Sequence, residues 1–217
     1  MKYVVALVLL AIAVAGYVYI KHDTPENSNP VTGLPWQIDQ LAGGETRVFG
    51  ITLGRTTLGE AIAQLGNDME LAVIAAPDKD GTLEAYFSHY ASGPITGKLI
   101  LIMDVTPQAL STMRKRAFQD RGTRRHRLHP DDLPVALQSP IRAINFMPSY
   151  NLDEDIAHAR FGKPAEIIQV NEQQKHLLYP DKGLDIILSA EGREILQYLS
   201  PAEFSAHRDR IMSDRAD

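Results

Sequence analysis

The spacing of helix boundaries most constrains how this chain can fold, because the same spacing occurs twice. Each predicted helix start combines a Ser, Thr or Asn cap with a Glu or a Pro in the turn that follows, a pattern typical of helix N-termini. The four predicted starts are Thr57, Thr106, Asn151 and Ser200. In each half the two starts are 49 residues apart (57 to 106 and 151 to 200), and the halves are offset by 94 (57 to 151). Matching spacings are what an internal repeat predicts.

The first helix of each half is predicted to open on a capping box and to stop at a glycine. Such a box pairs a cap side chain with a Glu three residues later, and a glycine ends a helix because it tolerates positive φ. In the second half, Ile156 and Ala159 are predicted on the inner face of the helix. The residues assigned to this structural motif are Thr57, Glu60, Gly66, Asn151, Glu154, Gly162 and Pro164.

Apolar runs after these helices predict strands. The predicted strands cover residues 49–53, 71–76, 83–90, 98–105, 166–170, 176–178, 184–189 and 192–199. The connections are short, and parallel strands need crossovers of about a dozen residues or more, so we predict antiparallel pairing. The predicted fold class is α+β, with two tandem helix plus antiparallel-sheet repeats (47–120 and 141–217) behind an N-terminal transmembrane helix. Residues 121–140 are predicted to be a basic, polar linker between the repeats.

Residues 3–20 form an uncharged apolar run. As a helix rising about 1.5 Å per residue it would cover roughly 27 Å, close to a hydrocarbon core of about 30 Å. Its length and the Lys21 beyond it favour a signal anchor over residues 1–21. The alternative is a signal peptide cleaved behind Ala13-Val14-Ala15. We therefore predict a bacterial inner-membrane protein with its N-terminus inside and its domain in the periplasm, or else secretion to the periplasm after cleavage.

Residues 22–46 are predicted to be a tether, since a polar, proline-rich stretch buries too little apolar surface to fold alone. Trp36 lies within it. This tryptophan is predicted to pack on the edge of the domain, and the alternative places it at the lipid interface.

The second half carries a family resemblance. The predicted order is a short helix, Phe161-Gly162-Lys163-Pro164, a strand, Leu177-Leu178-Tyr179 and then Gly183-Leu184-Asp185-Ile186. This order resembles the SmpA/OmlA family of small outer-membrane lipoproteins, which includes the BamE component of the barrel-assembly machinery. The resemblance is strongest over residues 141–200. It implies an envelope protein of helix-plus-sheet fold, and the paired repeat is also similar to that of secreted β-lactamase-inhibitor proteins. There is no lipobox cysteine, so lipid attachment does not carry over.

Seven basic residues cluster at the end of the Thr106 helix and in the loop beyond it. They are a candidate contact for anionic lipid or an acidic partner. Each basic residue near a charged surface contributes about 1 kcal/mol of binding free energy. The alternative is a solvated helix C-terminus, where cations suit the helix dipole. The members of this basic patch are Arg114, Lys115, Arg116, Arg121, Arg124, Arg125 and Arg127.

No motif in the sequence names a reaction. The chain has no cysteine, which removes thiolate metal sites and cysteine nucleophiles, and its net charge of −5 argues against general nucleic-acid binding. His126 and His129 precede two aspartates, but their spacing fits no known metal-ligand pattern. The other histidines considered, His89, His158, His176 and His207, have no paired base or nucleophile in sequence. We expect no catalytic residue, metal or cofactor.

The predicted function is therefore that of a membrane-anchored, periplasmic and non-catalytic protein that binds a protein partner or an envelope component. Two alternatives stay open. One is an extracytoplasmic enzyme whose site is assembled from residues far apart in the chain. The other is a cytoplasm-facing protein that binds anionic lipid through the basic patch.

Overall fold

The structure is a computed structural model that describes residues 31–76, 81–120 and 123–215. Within them, the five α-helices are α1 (Leu58–Leu65), α2 (Pro107–Arg116), α3 (Leu133–Gln138), α4 (Glu154–Phe161) and α5 (Phe204–Asp214). The strands are β1 (Asp39–Gln40), β2 (Thr46–Val48), β3 (Ile51–Thr52), β4 (Glu70–Ile74), β5 (Thr82–Ser92), β6 (Ile95–Met103), β7 (Phe118–Gln119), β8 (Arg125–Arg127), β9 (Ile141–Pro148), β10 (Glu166–Gln169), β11 (Gln174–Tyr179), β12 (Leu184–Ser189) and β13 (Ile195–Tyr198). Short 3₁₀ helices lie at Pro130–Asp132, Pro180–Lys182 and Pro201–Glu203.

Ten of these strands form one antiparallel sheet. Its order is β10-β11-β12-β13-β9-β6-β5-β4-β8-β7, and β1, β2 and β3 form a separate small sheet. Strand β9, which the sequence did not predict, pairs with β6 of the first half and with β13 of the second half. This central strand makes the two halves parts of a single sheet.

The predicted fold class is wrong. The protein is mostly β with five described helices, and strands of both halves share one sheet rather than forming two helix-plus-sheet repeats. Residues 32–217 are one compact unit, and the predicted linker contributes β8 and α3 to it. The predicted 49-residue spacing of the helix caps is also not found in the second half. There α4 is capped by Asp153, whose carboxylate accepts from the backbone N–H of Ile156 at 2.8 Å, and not by Asn151.

Other predicted boundaries are confirmed. Thr57 and Glu60 form the capping box at the start of α1, and Thr106 caps α2 with Pro107 in the first turn. Both glycine stops have positive φ, 92° at Gly66 and 83° at Gly162. Ser200 precedes a 3₁₀ turn without a side-chain cap, and the helix proper begins at Phe204.

The strand predicted over residues 49–53 is only partly confirmed, because it begins with a hairpin turn and only Ile51–Thr52 is a strand. Val48 pairs with Ile51, so Phe49 and Gly50 are the two turn residues between β2 and β3. Both have positive φ (54° and 77°), as a type I′ hairpin requires. The Phe49 ring packs edge-on against Tyr90 and Tyr198, with centroids 5.3 and 5.4 Å away, and this burial offsets the backbone strain of a non-glycine residue.

The two faces of the large sheet carry separate cores. One face, covered by α1 to α4, holds the large core, which includes Leu101, Phe146 and Tyr198. The other face holds a smaller core under α5, which includes Leu178 and Ile211. Because side chains alternate along a strand, adjacent residues of β11, β12 and β13 serve opposite cores.

No described helix is both long and apolar enough to cross a membrane. The apolar run over residues 3–20 lies outside the described residues, as does Arg121. The predicted anchor and the periplasmic location stay predictions.

Residues 32–38, part of the predicted tether, are held against the sheet. Hydroxyl groups of the sheet donate to backbone carbonyls of this segment: Ser92 to Thr32 at 2.6 Å, Tyr90 to Gly33 at 3.0 Å and Tyr198 to Pro35 at 2.9 Å. Trp36 packs against the large core, as the domain-edge interpretation predicts. Residues 32–46 of the predicted tether therefore belong to the folded unit, and residues 22–30 of it lie outside the described residues.

Tyr198 makes the stability of the fold sensitive to alkaline pH. The residue is fully buried, and burial raises the pKa of its phenol well above the usual value; burial also raises the pKa of Tyr179 to about 12. Above pH 10 the unfolded chain loses these protons first, so we expect the free energy of unfolding to fall as pH rises from about 10 to 12. Urea unfolding at pH 8 and pH 11 measures this. Tyr198→Phe is expected to lower the free energy of unfolding by about 1 kcal/mol at pH 8 and to make its decrease between pH 8 and pH 11 smaller. An equal free energy of unfolding of the wild type at both pH values would contradict the expectation.

Candidate functional site

Helix α5 places a histidine over the second half of the sheet. Phe204 and Ile211 are seven residues apart and are both buried in the smaller core. His207 is three residues after Phe204, so it lies on the same helix face. The two apolar residues therefore fix where the imidazole meets the sheet.

The strands below α5 supply the partners of His207. Leu178 of β11 faces Asp185 of β12 directly, and His176 faces Ile187. His176 and Asp185 are therefore diagonal neighbours on the face that α5 covers, within reach of each other's side chains. Gln197 of β13 lies directly opposite Asp185 on the same face.

These residues form a buried polar cluster, the His–Asp–His cluster of His176, Asp185 and His207. Asp185 is 0% exposed. One of its oxygens, Oδ2, is 2.7 Å from His176 Nδ1 and 2.8 Å from His207 Nε2. Among the described residues, no donor lies within hydrogen-bond distance of the other oxygen, Oδ1. A buried carboxylate without such partners would be strongly destabilising, so the two imidazoles are required to hold it there.

The contacts assign the roles of the ring nitrogens. A carboxylate only accepts hydrogen bonds, so both nitrogens facing Asp185 Oδ2 carry a proton and donate it. The other nitrogen of His176, Nε2, is 3.1 Å from the amide nitrogen of Gln174. An amide nitrogen donates, so His176 Nε2 accepts and this imidazole is the Nδ1–H tautomer.

The cluster borders a cavity of about 370 Å³. We call it the histidine cavity, and its lining residues are Val170, Gln174, His176, Gln197, His207, Arg210 and Ile211. Each of the five polar lining residues carries at least one N–H donor, and no carboxylate is in the lining. Because His176 and His207 donate the N–H groups assigned above to Asp185, the donors left for a ligand are the side-chain amides of Gln174 and Gln197 and the guanidinium of Arg210, which carries one permanent positive charge.

Arg210 and Arg208 differ in their partners among the described residues. Among the described residues, no carboxylate forms an ion pair with its guanidinium, whereas the neighbouring Arg208 is bound to Glu166 of β10 through two hydrogen bonds of 2.6 and 2.8 Å. The hydrogen bond from Arg208 holds the pKa of the Glu166 carboxyl below its ordinary value. Arg208 thus fastens α5 to the edge of the sheet, and Arg210 contributes its charge to the cavity.

The basic patch is partly neutralised by neighbouring carboxylates. Arg116 is paired with the buried Asp132, Arg125 with Glu70 and Arg127 with Asp120. Arg114 donates to the carbonyl of Ala76, and Lys115 and Arg124 are exposed. Nothing in the structure tests whether the patch binds lipid or a partner, and that role stays a prediction.

A larger cavity, about 550 Å³, lies between the β2–β3 hairpin and β5. Several of its polar groups hydrogen-bond to one another. Arg47 forms two hydrogen bonds with Asp39, and the Gln64 amide donates to the Phe49 carbonyl at 2.9 Å. In the described part of the chain, no group of three His, Asp or Glu side chains has an arrangement that could hold a metal ion. The histidine cavity therefore has the most distinctive chemistry.

Reasoning from the sequence missed this site. In the sequence, no paired base was found for His176 and His207, and Asp185 was given no role in a site. One signal was present: Asp185 stands alone between Leu184 and Ile186 in an otherwise apolar strand. A carboxylate at such a position needs a buried partner, although the sequence does not say which residue supplies it.

No family model, curated protein or solved structure matches this chain. The resemblance of residues 141–200 to the SmpA/OmlA family accordingly stays a prediction.

Proposed function

We propose that this chain is a non-catalytic binding protein and that the histidine cavity binds a small oxyanion, such as a phosphate or a short carboxylate. The observation that carries the proposal is that one cavity beside the buried His–Asp–His cluster combines the guanidinium of Arg210, which no described carboxylate pairs, with the side-chain amides of Gln174 and Gln197. Hydrogen-bond donors and a guanidinium are the groups with which proteins recognise oxyanions.

The size and composition of the histidine cavity support binding of a small molecule. Its volume is near the lower end of the roughly 300–1,000 Å³ that small-molecule sites occupy. None of its lining residues is a Ser, Thr, Cys or Lys that could act as a nucleophile. Asp185 fixes the orientation of both imidazoles, so this wall of the cavity is in place before a ligand arrives.

Calorimetric titration with inorganic phosphate tests the proposal. Arg210→Gln is expected to weaken phosphate binding about tenfold or more, because hydrogen bonds to charged groups contribute roughly 1.5–3 kcal/mol. Arg142→Gln is the matched control, since Arg142 is exposed on β9 and does not line the cavity. Equal phosphate affinity of the wild type and Arg210→Gln would show that the cavity is not the binding site, and no phosphate binding at all would count against an oxyanion ligand of this kind.

A second function is favoured by one specific contact. His176 donates from Nδ1 to a buried aspartate at 2.7 Å, which is how a general base is oriented. Its Nε2 lone pair accepts from the Gln174 amide in this structure, and a substrate would have to take the place of that amide. In that case the cavity would bind a substrate and His176 would take its proton. Hydrolysis of p-nitrophenyl acetate that His176→Gln abolishes would favour this function over simple binding.

A further inference from the structure

A second cavity, unrelated to the His–Asp–His cluster, lies against helix α4. We call it the tryptophan cavity. It has a volume of about 440 Å³, and its lining residues are Trp36, Ile95, Tyr150, Ile156, Ala159 and Arg160. Four of the six side chains are aliphatic or indole, so most of the wall is apolar, as in cavities that bind drug-sized ligands.

The outer face of α4 contributes an unusual apolar surface to this cavity. Ile156 and Ala159 were predicted on the inner face of the helix, but both are exposed, with Ile156 at 36%, and the buried residues of α4 are Ala157 and Phe161. The prediction is wrong because the buried stripe of the helix follows Ala157 and Phe161, four residues apart, and not Ile156 and Ala159. The result is an exposed isoleucine next to a partly exposed tryptophan.

The tryptophan cavity has two polar groups, the guanidinium of Arg160 and the hydroxyl of Tyr150. The Arg160 guanidinium lies over the Trp36 ring, 4.5 Å from its centroid, and no carboxylate among the described residues is within ion-pair distance of it. The Tyr150 hydroxyl likewise makes no hydrogen bond to a described residue. Burial raises the pKa of the Tyr150 phenol, with Arg160 opposing the shift, so at neutral pH this group is a protonated donor.

We propose that the tryptophan cavity binds the carboxylate of a medium-chain fatty acid. The hydrocarbon chain would cover Trp36 and Ile156, and the head group would meet the guanidinium of Arg160 and the phenol of Tyr150. The charge is complementary, since a guanidinium pairs with a carboxylate through parallel hydrogen bonds. A neutral apolar ligand would leave both donors without an acceptor.

The fluorescence of Trp36 reports binding directly, because it is the single tryptophan of the chain. Titration with sodium decanoate below its micelle concentration is expected to change the emission saturably. Octanoate is expected to bind more weakly, by about fourfold for each methylene removed, which corresponds to roughly 0.8 kcal/mol per methylene. An emission that decanoate leaves unchanged, or that changes without saturating, would overturn the proposal.

Calorimetry measures the contributions of the charge and of the apolar contact to decanoate affinity, and it does not depend on the fluorescence of Trp36. Arg160→Gln is expected to weaken decanoate binding about tenfold or more, whereas the control Arg142→Gln binds as the wild type does. Decanol, which has the chain but no charge, is expected to bind the wild type much more weakly than decanoate. Equal affinities for decanol and decanoate, or for Arg160→Gln and the wild type, would show that no carboxylate site exists here. Circular dichroism checks that each variant is folded.

Discussion

Replacing Asp185 with alanine is expected to lower the free energy of unfolding by about 3–5 kcal/mol. Removing the acceptor of a buried charged network leaves its donors without a partner, which lowers the free energy of unfolding by about this amount. In this protein the groups left behind are the imidazoles of His176 and His207, both nearly inaccessible to water. Urea or guanidinium unfolding followed by circular dichroism measures the change.

Two further variants make this expectation specific. Asp181→Ala removes an exposed aspartate four residues earlier, and its effect is expected to stay within about 0.5 kcal/mol. A triple variant with leucine at His176, Asp185 and His207 is expected to be more stable than Asp185→Ala, because replacing a whole buried network by apolar groups is often neutral. If Asp185→Ala unfolds within 1 kcal/mol of the wild type, the cluster does not hold α5 on the sheet.

Gly183→Ala is expected to lower the free energy of unfolding by about 3 kcal/mol or more. Gly183 has a left-handed conformation, with φ 60° and ψ 36°, between a 3₁₀ turn and β12. A Cβ there would lie 2.8 Å from Thr46 Oγ1 and closer still to the carbonyl oxygen of Leu199. Backbone strain of about 1–2 kcal/mol and overpacking of about 1–3 kcal/mol therefore act together.

Gly54→Ala is the matched control for the steric part. Gly54 also has a positive φ, 78°, but no atom lies within 4 Å of the position of an added Cβ. Only the conformational cost applies there, about 1–2 kcal/mol. Chemical unfolding of both variants in parallel gives the difference, and equal losses would mean that the Leu199 carbonyl and Thr46 move away without cost.

Local signals in the sequence predicted local structure well. The capping box at Thr57, the Thr106-Pro107 start of α2 and the glycine stops at Gly66 and Gly162 are all found. Each of these depends on hydrogen bonds or φ values within about four residues, so the sequence contains the whole interaction. In the second half the predicted cap was Asn151, but Asp153 caps α4, so the predicted start was two residues too early.

Long-range pairing was not predictable in the same way. Alternation at residues 49–53 fits a strand, but the aromatic cluster of Tyr90, Phe146 and Tyr198 holds Phe49 in a turn. Likewise β9 has an ordinary apolar pattern, and its role as the strand that joins both halves depends on partners more than 30 residues away on either side. An apparent repeat in spacing says nothing about such pairings.

The sequence by itself determined the start and stop of α1, the start of α2, the stop of α4 and the antiparallel pairing of the strands, because caps, glycine stops and short connections act over a few residues. Only the tertiary structure decided that there is one ten-stranded sheet and where its chemistry lies. Asp185 is 9 residues from His176 and 22 from His207, and the register of β11 on β12 and the seating of α5 through Phe204 and Ile211 bring the three together. A buried carboxylate is stable only with both partners, so the site exists only in the assembled fold.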